Sequence, residues 1–349
     1  MKSSITPLSA APAELVVDYL TQPGIGRGYS RAEAEWKYFD GEFNGGRERG
    51  FVSLKDGRVR GFIGMIPVTV ATPEAGDRDL IWTCDWSVAD QQSNPGIGIL
   101  LLTKVHRQYD FVAGVGGTED TRSLVPRMGT RTVADATVVL RRPLRLRPLL
   151  ERVEKAARFA PRLSETALAR LPIPLKRVAG PAGATVSPGV SAAAAALFDA
   201  PAHGICSVRY DARHLAWLSR SPSMHVQSAH LAAGDAAAGA LFWRRHHHPT
   251  RWRLALRFSP GGEQLVEPLL ASILARLRDR EGASLVSIAV SSSDQPLLDT
   301  LKRHAFIAGE RHELFITGGQ GPGSCEQGFA PMSYLDTDLG IVPWAEELV

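Results

Sequence analysis

The chain sets down the same succession of elements twice, once over 51–140 and again over 225–317. In the first pass a strand at 51–54 turns at Asp56-Gly57, a pair that tolerates the positive φ angles of a tight hairpin, into a long strand at 59–71. A turn rich in proline, glycine and acids at 72–77 leads to a third strand at 80–89. Ile97, Leu101 and Val105 then recur every four residues as the apolar stripe of a helix. A short strand at 111–115, a partly helical connector at 118–128 and a closing strand at 133–140 complete the unit. The second pass has a hairpin of strands at 225–232 and 238–245 around Gly234-Asp235, then a third strand at 252–258. A helix at 263–280 carries Leu265, Leu269, Ile273 and Leu277, and a strand at 285–290, a helix at 296–304 and a strand at 313–317 follow. No residue-level repeat accompanies this order. A further helix at 31–39 precedes the first pass. The pattern predicts an α/β fold of two tandem domains, each a mixed, mostly antiparallel sheet flanked by helices.

Domains run to roughly 100–200 residues, so 349 residues suit two of them. The expected boundaries are a first domain over 1–150, a basic helix and Pro/Gly linker over 151–186, a second domain over 187–318, and a tail over 319–349 that packs back on a domain. Cys84, Cys206 and Cys325 are widely spaced with no CxxC pair, which argues against a disulfide framework or a cysteine zinc site. The start of the chain shows neither a signal peptide nor a membrane span, so a soluble, cytoplasmic protein is expected. From Arg141 to Arg162 eight Lys/Arg stand against two Glu, whereas the whole chain is only +4. A DNA binder would spread its basic residues over a face with aromatics interleaved, so no DNA partner is expected. The segment reads as a solvated basic connector, or as a docking strip for an anionic or carrier partner. His246-His247-His248 cannot all face one ion from successive strand positions, so a solvated hairpin end is expected there and no metal site.

Chemistry concentrates at the end of the third strand of the first pass, Val88-Ala89-Asp90, and the turn Ser93-Asn94-Pro95-Gly96-Ile97-Gly98 that opens the helix. The N–H groups of a helix's first turn lack intrahelical partners and carry the positive end of the dipole. Glycines let a phosphate approach that backbone closely, and a plain strand-to-helix turn is the bland alternative.

In this context VADQQSNPGIGILLL resembles the acyl-CoA signature of the GNAT (acyl-CoA N-acyltransferase) superfamily, Arg/Gln-x-x-Gly-x-Gly/Ala after a strand end. The resemblance covers about 30–142. It implies that the backbone of Pro95, Gly96, Ile97, Gly98 and Ile99 holds the pyrophosphate of acetyl-CoA or another acyl-CoA. It also implies that the pantetheine arm pairs with the third strand near Val88, in a wedge between the third and fourth strands. Ser93 stands where the family has a basic or amide residue. The second half, about 205–317, resembles a second, degenerate GNAT unit, whose Ser259-Pro260-Gly261-Gly262-Glu263 lacks Gly-x-Gly and sets an acid where a phosphate would be repelled. This half is expected to bind no CoA and to shape a pocket or interface.

Acyl transfer to an amine needs a base, and Asp85, within Trp82-Thr83-Cys84-Asp85-Trp86, is the expected one. Its alternative is a structural carboxylate paired with a cation. Glu119 and Asp120 follow the fourth strand at the mouth of the wedge, where either is placed to assist, Glu119 first; as loop acids beside Arg122 their alternative is a structural role. Trp82 and Trp86, at i and i+4 on a strand, share a face and offer either core packing or a stacking wall for substrate, with Arg122 nearby. Strand alternation separates Cys84 from Asp85, and Cys84 reads as a core cysteine. The Tyr that GNAT enzymes often use to protonate the departing thiolate is replaced by Val125. The resulting expectation is an N-acyltransferase acting on a small primary amine, such as an amino sugar or amino acid. The alternatives are an aminoacyl-tRNA-dependent transferase of the peptidoglycan-bridge type and a non-catalytic acyl-CoA-binding or partner protein.

Overall fold

The computed structural model describes residues 4–25, 28–72, 76–90, 92–156, 164, 166–176, 178, 183–201, 206–318, 325, 333 and 335. The strands are β1 (Ser4–Pro7), β2 (Gly50–Lys55), β3 (Arg58–Thr72), β4 (Gly76–Val88), β5 (Val112–Val115), β6 (Arg131–Pro143), β7 (Thr185–Pro188), β8 (Ser207–Arg209), β9 (Met224–Ala233), β10 (Ala236–Arg245), β11 (Arg251–Phe258), β12 (Leu285–Ser291) and β13 (Ile307–Thr317). The helices are α1 (Ala13–Leu20), α2 (Arg31–Phe39), α3 (Gly41–Asn44), α4 (Ile97–Gln108), α5 (Glu119–Leu124), α6 (Arg147–Ala156), α7 (Ala192–Asp199), α8 (Ala212–Ser219), α9 (Glu263–Asp279) and α10 (Gln295–Arg303). The twice-repeated order is present, and each pass is a mixed, mostly antiparallel sheet flanked by helices.

Among the described residues all thirteen strands belong to one sheet, in the order β1-β2-β3-β4-β5-β13-β6-β12-β11-β10-β9-β7, with β8 on β3. The closing strands are exchanged between the halves. β6 runs antiparallel to β12 of the second half, and β13 inserts between β5 and β6 of the first. A boundary near 150–186 therefore separates the two passes in sequence but cuts through a continuous sheet. One face of the sheet is buried under α4 in the first half and under α9 and α10 in the second; α1, α2, α7 and α8 pack on the other.

A local repeat, absent from the sequence reading, holds those helices together. Tyr29-Ser30 and Tyr210-Asp211 each precede a helix capped by the second residue, and Trp36 and Trp217 follow at the same distance from each cap. The two indoles stack at 4.6 Å, and each donates its Nε1–H to the other's backbone carbonyl, at 2.8 and 3.0 Å. Glu33, in the capping box of α2, forms a buried ion pair with Arg245 of β10.

Cys206 and Cys325 form a disulfide, which corrects the expectation of unpaired cysteines; wide spacing in sequence does not limit approach in space. Cys84 is buried and free. Of the tail, Cys325, Ser333 and Leu335 are described, and all three are buried. The arginines of the basic segment serve largely as struts. Arg142 donates to the carbonyls of Pro174 and Ala305, Arg145 to those of Arg170 and Arg278, and Arg141 and Arg147 pair with Glu310 and Glu151. Its end, 157–162, lies outside the described residues. His246 and His247 are exposed at the β10–β11 hairpin end.

Candidate functional site

β4 departs from regular alternation at one place. Gly64 pairs with Cys84, but the next pair is Phe62 with Ser87, so Asp85 and Trp86 together oppose Ile63. Asp85 takes a positive φ of 48°, and the extra residue is a β-bulge. Beyond it every side chain changes face. Two expectations are corrected. Trp82, 1% exposed, lies in the core beneath α1 and α2, whereas Trp86 packs on the α4 side, so the two indoles do not share a face. Cys84 and Asp85 are not opposed either: the Tyr38 hydroxyl lies 3.5 Å from Cys84 Sγ and donates to Asp85 Oδ2.

Asp85 Oδ2 also accepts from Lys37 Nζ at 2.7 Å and from the Tyr29 hydroxyl at 2.9 Å. The Lys37 and Asp85 side chains are 0% and 4% exposed, and Lys37 Nζ lies 5.0 and 5.4 Å from the Tyr29 and Tyr38 ring centroids. Burial, and then the Asp85 charge, push the Tyr38 phenol well above its ordinary pKa, so it stays a hydrogen-bond donor. The geometry is that of a cation-paired carboxylate, with lysine as the cation. Losing one partner of such a pair costs about 3–5 kcal/mol, because a charge is left buried alone.

The turn after β4 is shaped by Asn94, 7% exposed, whose Nδ2 donates to the carbonyls of Ala89 and Asp90 at 2.9 and 3.1 Å. Gly96 caps α4 at φ 78°, no side chain caps the helix, and its first turn carries no acid. The two glycines have different reasons. Gly96 has open space where a Cβ would stand and is required by its backbone angle. Gly98 has the Trp86 indole over it, with Nε1 3.2 Å from the position of a Cβ. Ile97, 6% exposed, faces inward and fits against Gly61 of β3, where a Cβ would stand 2.7 Å from Ile97 Cγ2.

Val88, Gly96, Gly98, Ile99 and Trp86 line a cavity of about 320 Å³, with Asp120 and Thr121 of α5 opposite. Ser93 and Pro95 are exposed on the turn outside it. Glu119 and Arg122 are exposed on α5 and line neither this cavity nor the one below it.

β4 and β5 pair only at Ile81–Val112 and Trp82–Ala113. Above that point they part, and a second cavity of about 120 Å³ opens between them. Trp86, Thr118 and Thr121 line both cavities and join them. The Trp86 Nε1 is buried and makes no hydrogen bond among the described residues. Val125 forms part of the wall. Sequence reasoning missed His106, which faces this cavity one turn below Leu102 and two below Gly98. Burial lowers its pKa, so the imidazole is neutral at pH 7. The spacing 98, 102, 106 on one helix face was the available signal. Lys37 had the signal of a lysine inside an aromatic helix segment, but nothing local linked it to Asp85.

The equivalent turn of the second half is built otherwise. β10 and β11 stay in register from Ala238–Phe258 to Trp243–Arg253, without a bulge. A Cβ on Gly262 would collide with the Ala237 carbonyl oxygen, and Gly262 N–H donates to Ser259 O at 2.8 Å. Glu263 occupies the first turn of α9.

No family model matches the sequence, and no curated protein does. Solved structures do match the fold. A GCN5-related N-acetyltransferase from Anabaena variabilis aligns over 90% of this chain and 72% of its own, with TM-score 0.55 and 11% identity. Saccharomyces cerevisiae N-myristoyltransferase with bound myristoyl-CoA aligns over 92% and 86%, with TM-score 0.52 and 11% identity. A tandem GNAT protein from the clavulanic acid biosynthesis pathway aligns over 90% and 98%, with TM-score 0.51 and 14% identity. The fold is the GNAT fold in tandem.

Proposed function

We propose that the protein is an acyl-CoA-dependent N-acyltransferase whose donor site is the joined pair of cavities along β4 and α4, with a small primary amine as acceptor. The observation that carries this reading is the juxtaposition of an uncapped helix start free of acids with a bulge-opened wedge between two parallel strands. The backbone of residues 95–99 would meet the pyrophosphate through the helix dipole and the first-turn N–H groups of residues 96–99, Pro95 having none to give. The Trp86 Nε1–H, unspent among the described residues, suits an amide carbonyl of the pantetheine arm. Val88 lines the upper cavity at the strand end.

Acyl-CoA supplies an activated thioester. The amine nitrogen forms the new C–N bond as the C–S bond breaks, the amine loses one proton to water or to an acceptor at the rim, and the thiolate departs. A thiol pKa of roughly 8.5 makes that departure feasible without a dedicated acid, which Val125 does not provide. Asp85 holds the bulge open through Lys37, and Glu119 and Arg122 stand on α5 where an acceptor would arrive.

Isothermal titration with acetyl-CoA tests the site. Binding is expected in the parent chain and absent in Gly98→Trp, whose side chain would displace the Trp86 indole; no binding to the parent sinks the reading. Asp85→Asn separates two roles. As a clamp, Asp85 is needed for stability and CoA affinity together; unaltered affinity with turnover cut, followed by thiol release, would restore it as the base. A non-catalytic acyl-CoA binder is the second reading, favoured by the Val125 wall and the engaged Asp85. It predicts CoA binding without thiol release across a panel of amines.

A further inference from the structure

The lower cavity is lined by both polar and apolar groups, and its closed end, the floor, is polar. β13 lies beside β5 with Thr317 opposite Val112 and Phe315 opposite Gly114. Val112 is also where β4 and β5 close, through its pairing with Ile81, so Thr317 marks the closed end of the wedge. Phe315 packs on the α4 side, and Thr317, two residues on, shares its face. The Thr317 hydroxyl lies 3.0 Å from that of Thr130, and both residues line the cavity with His106. His106 makes no hydrogen bond among the described residues. Ile63, Leu102, Val125 and Phe315 supply apolar wall above this floor.

The cavity, about 120 Å³, has room for more than an acetyl methyl. We infer that this is an acyl pocket for a short chain longer than acetyl that carries an uncharged hydroxyl, read by His106 and the Thr130–Thr317 pair. The inference rests on the acyl-CoA reading above and specifies its donor. A neutral imidazole presents one donor and one acceptor nitrogen, and a threonine hydroxyl presents both roles. Such a floor satisfies an alcohol. It leaves a plain alkyl end facing desolvated polar groups, and among the described residues it offers no cation to an acyl carboxylate, since no Lys or Arg lines the cavity while Asp85 does. Burial keeps His106 neutral, which preserves the preference for an uncharged partner.

Titration of the full chain with free CoA, acetyl-CoA, butyryl-CoA, succinyl-CoA and both enantiomers of 3-hydroxybutyryl-CoA tests this. One hydroxybutyryl enantiomer is expected to bind about tenfold tighter than butyryl-CoA and tighter still than succinyl-CoA. His106→Leu and Thr317→Val, both close in size to the parent residues, are expected to cut that preference, read as the ratio of hydroxybutyryl-CoA to butyryl-CoA affinity within each variant, to about threefold or less. Equal or tighter binding of butyryl-CoA overturns the inference, as does a preference that survives both variants. In either case retained CoA binding leaves the donor-site reading standing. No CoA binding at all overturns that reading and the acyl pocket with it.

Discussion

The two glycine turns occupy equivalent places in the two halves and use glycine for opposite ends. Gly96 keeps a positive φ with empty space beside it, ahead of a helix start without an acid. Gly262 has an ordinary φ of −88° and is glycine because the Ala237 carbonyl fills the space a Cβ would need. The space beside the N-cap glycine is thus open in the first turn and filled by the chain's own backbone in the second, whose preceding Gly261, at φ 75°, has open space of its own. The strands before them differ in the same sense, β4 bulged at Asp85 and β11 regular.

The contrast extends to the paired helices α2 and α8, whose residues match in register from their caps. Glu33 corresponds to His214 and Lys37 to Leu218, so ionisable groups are buried differently on the two sides. Burial depresses the His214 pKa to about 3, among the rings of Phe43, Tyr210 and Trp217. Its folded pKa lies below the unfolded value, so its neutral state favours folding fully above pH 6.5, and the contribution is lost as pH falls from 6.5 toward 3. Denaturant titrations of parent and His214→Phe should diverge over that window by up to about 4–5 kcal/mol, the parent losing more. Parallel pH profiles would remove His214 as the source of asymmetry.

Lys37→Met should destabilise by about 3–5 kcal/mol, while Leu218→Met at the equivalent place should cost under about 1.5 kcal/mol. Equal effects would show that the Lys37–Asp85 pair does not distinguish the halves. A double variant, Lys37→Met with Asp85→Leu, should recover part of the loss, since no unpaired charge remains. Gly262→Ala is expected to cost about 1–3 kcal/mol by overpacking against Ala237 without altering CoA affinity. A change in that affinity would give the second turn a role in ligand binding.

Much of the element order was legible because it depends on local periodicity. The 3.6-residue stripe of α4, the four-residue leucine spacing of α9 and the Asp56-Gly57 hairpin each declare themselves within a dozen residues. The helix at 31–39 coincides with α2, since Ser30 and Glu33 form a complete capping box. Less was legible at the candidate site. A bulge inserts one residue into a strand whose composition is unchanged, so the faces of Trp82, Cys84, Asp85 and Trp86 could not be assigned from alternation. Asp85's partners lie 47–56 residues away on another element. The strand exchange was equally hidden, because β6 and β13 have the same alternating pattern wherever they pair.

By itself the sequence determined the kinds of element, their order, and a glycine turn between a strand and an amphipathic helix. These follow from side-chain periodicity and backbone preference, which act over short range. Tertiary structure alone decided that Asp85 sits in a bulge and pairs with Lys37, that the halves share one sheet, and that Cys206 meets Cys325. Each of these depends on groups brought together across many residues, and burial, pairing and empty space exist only once the chain has folded.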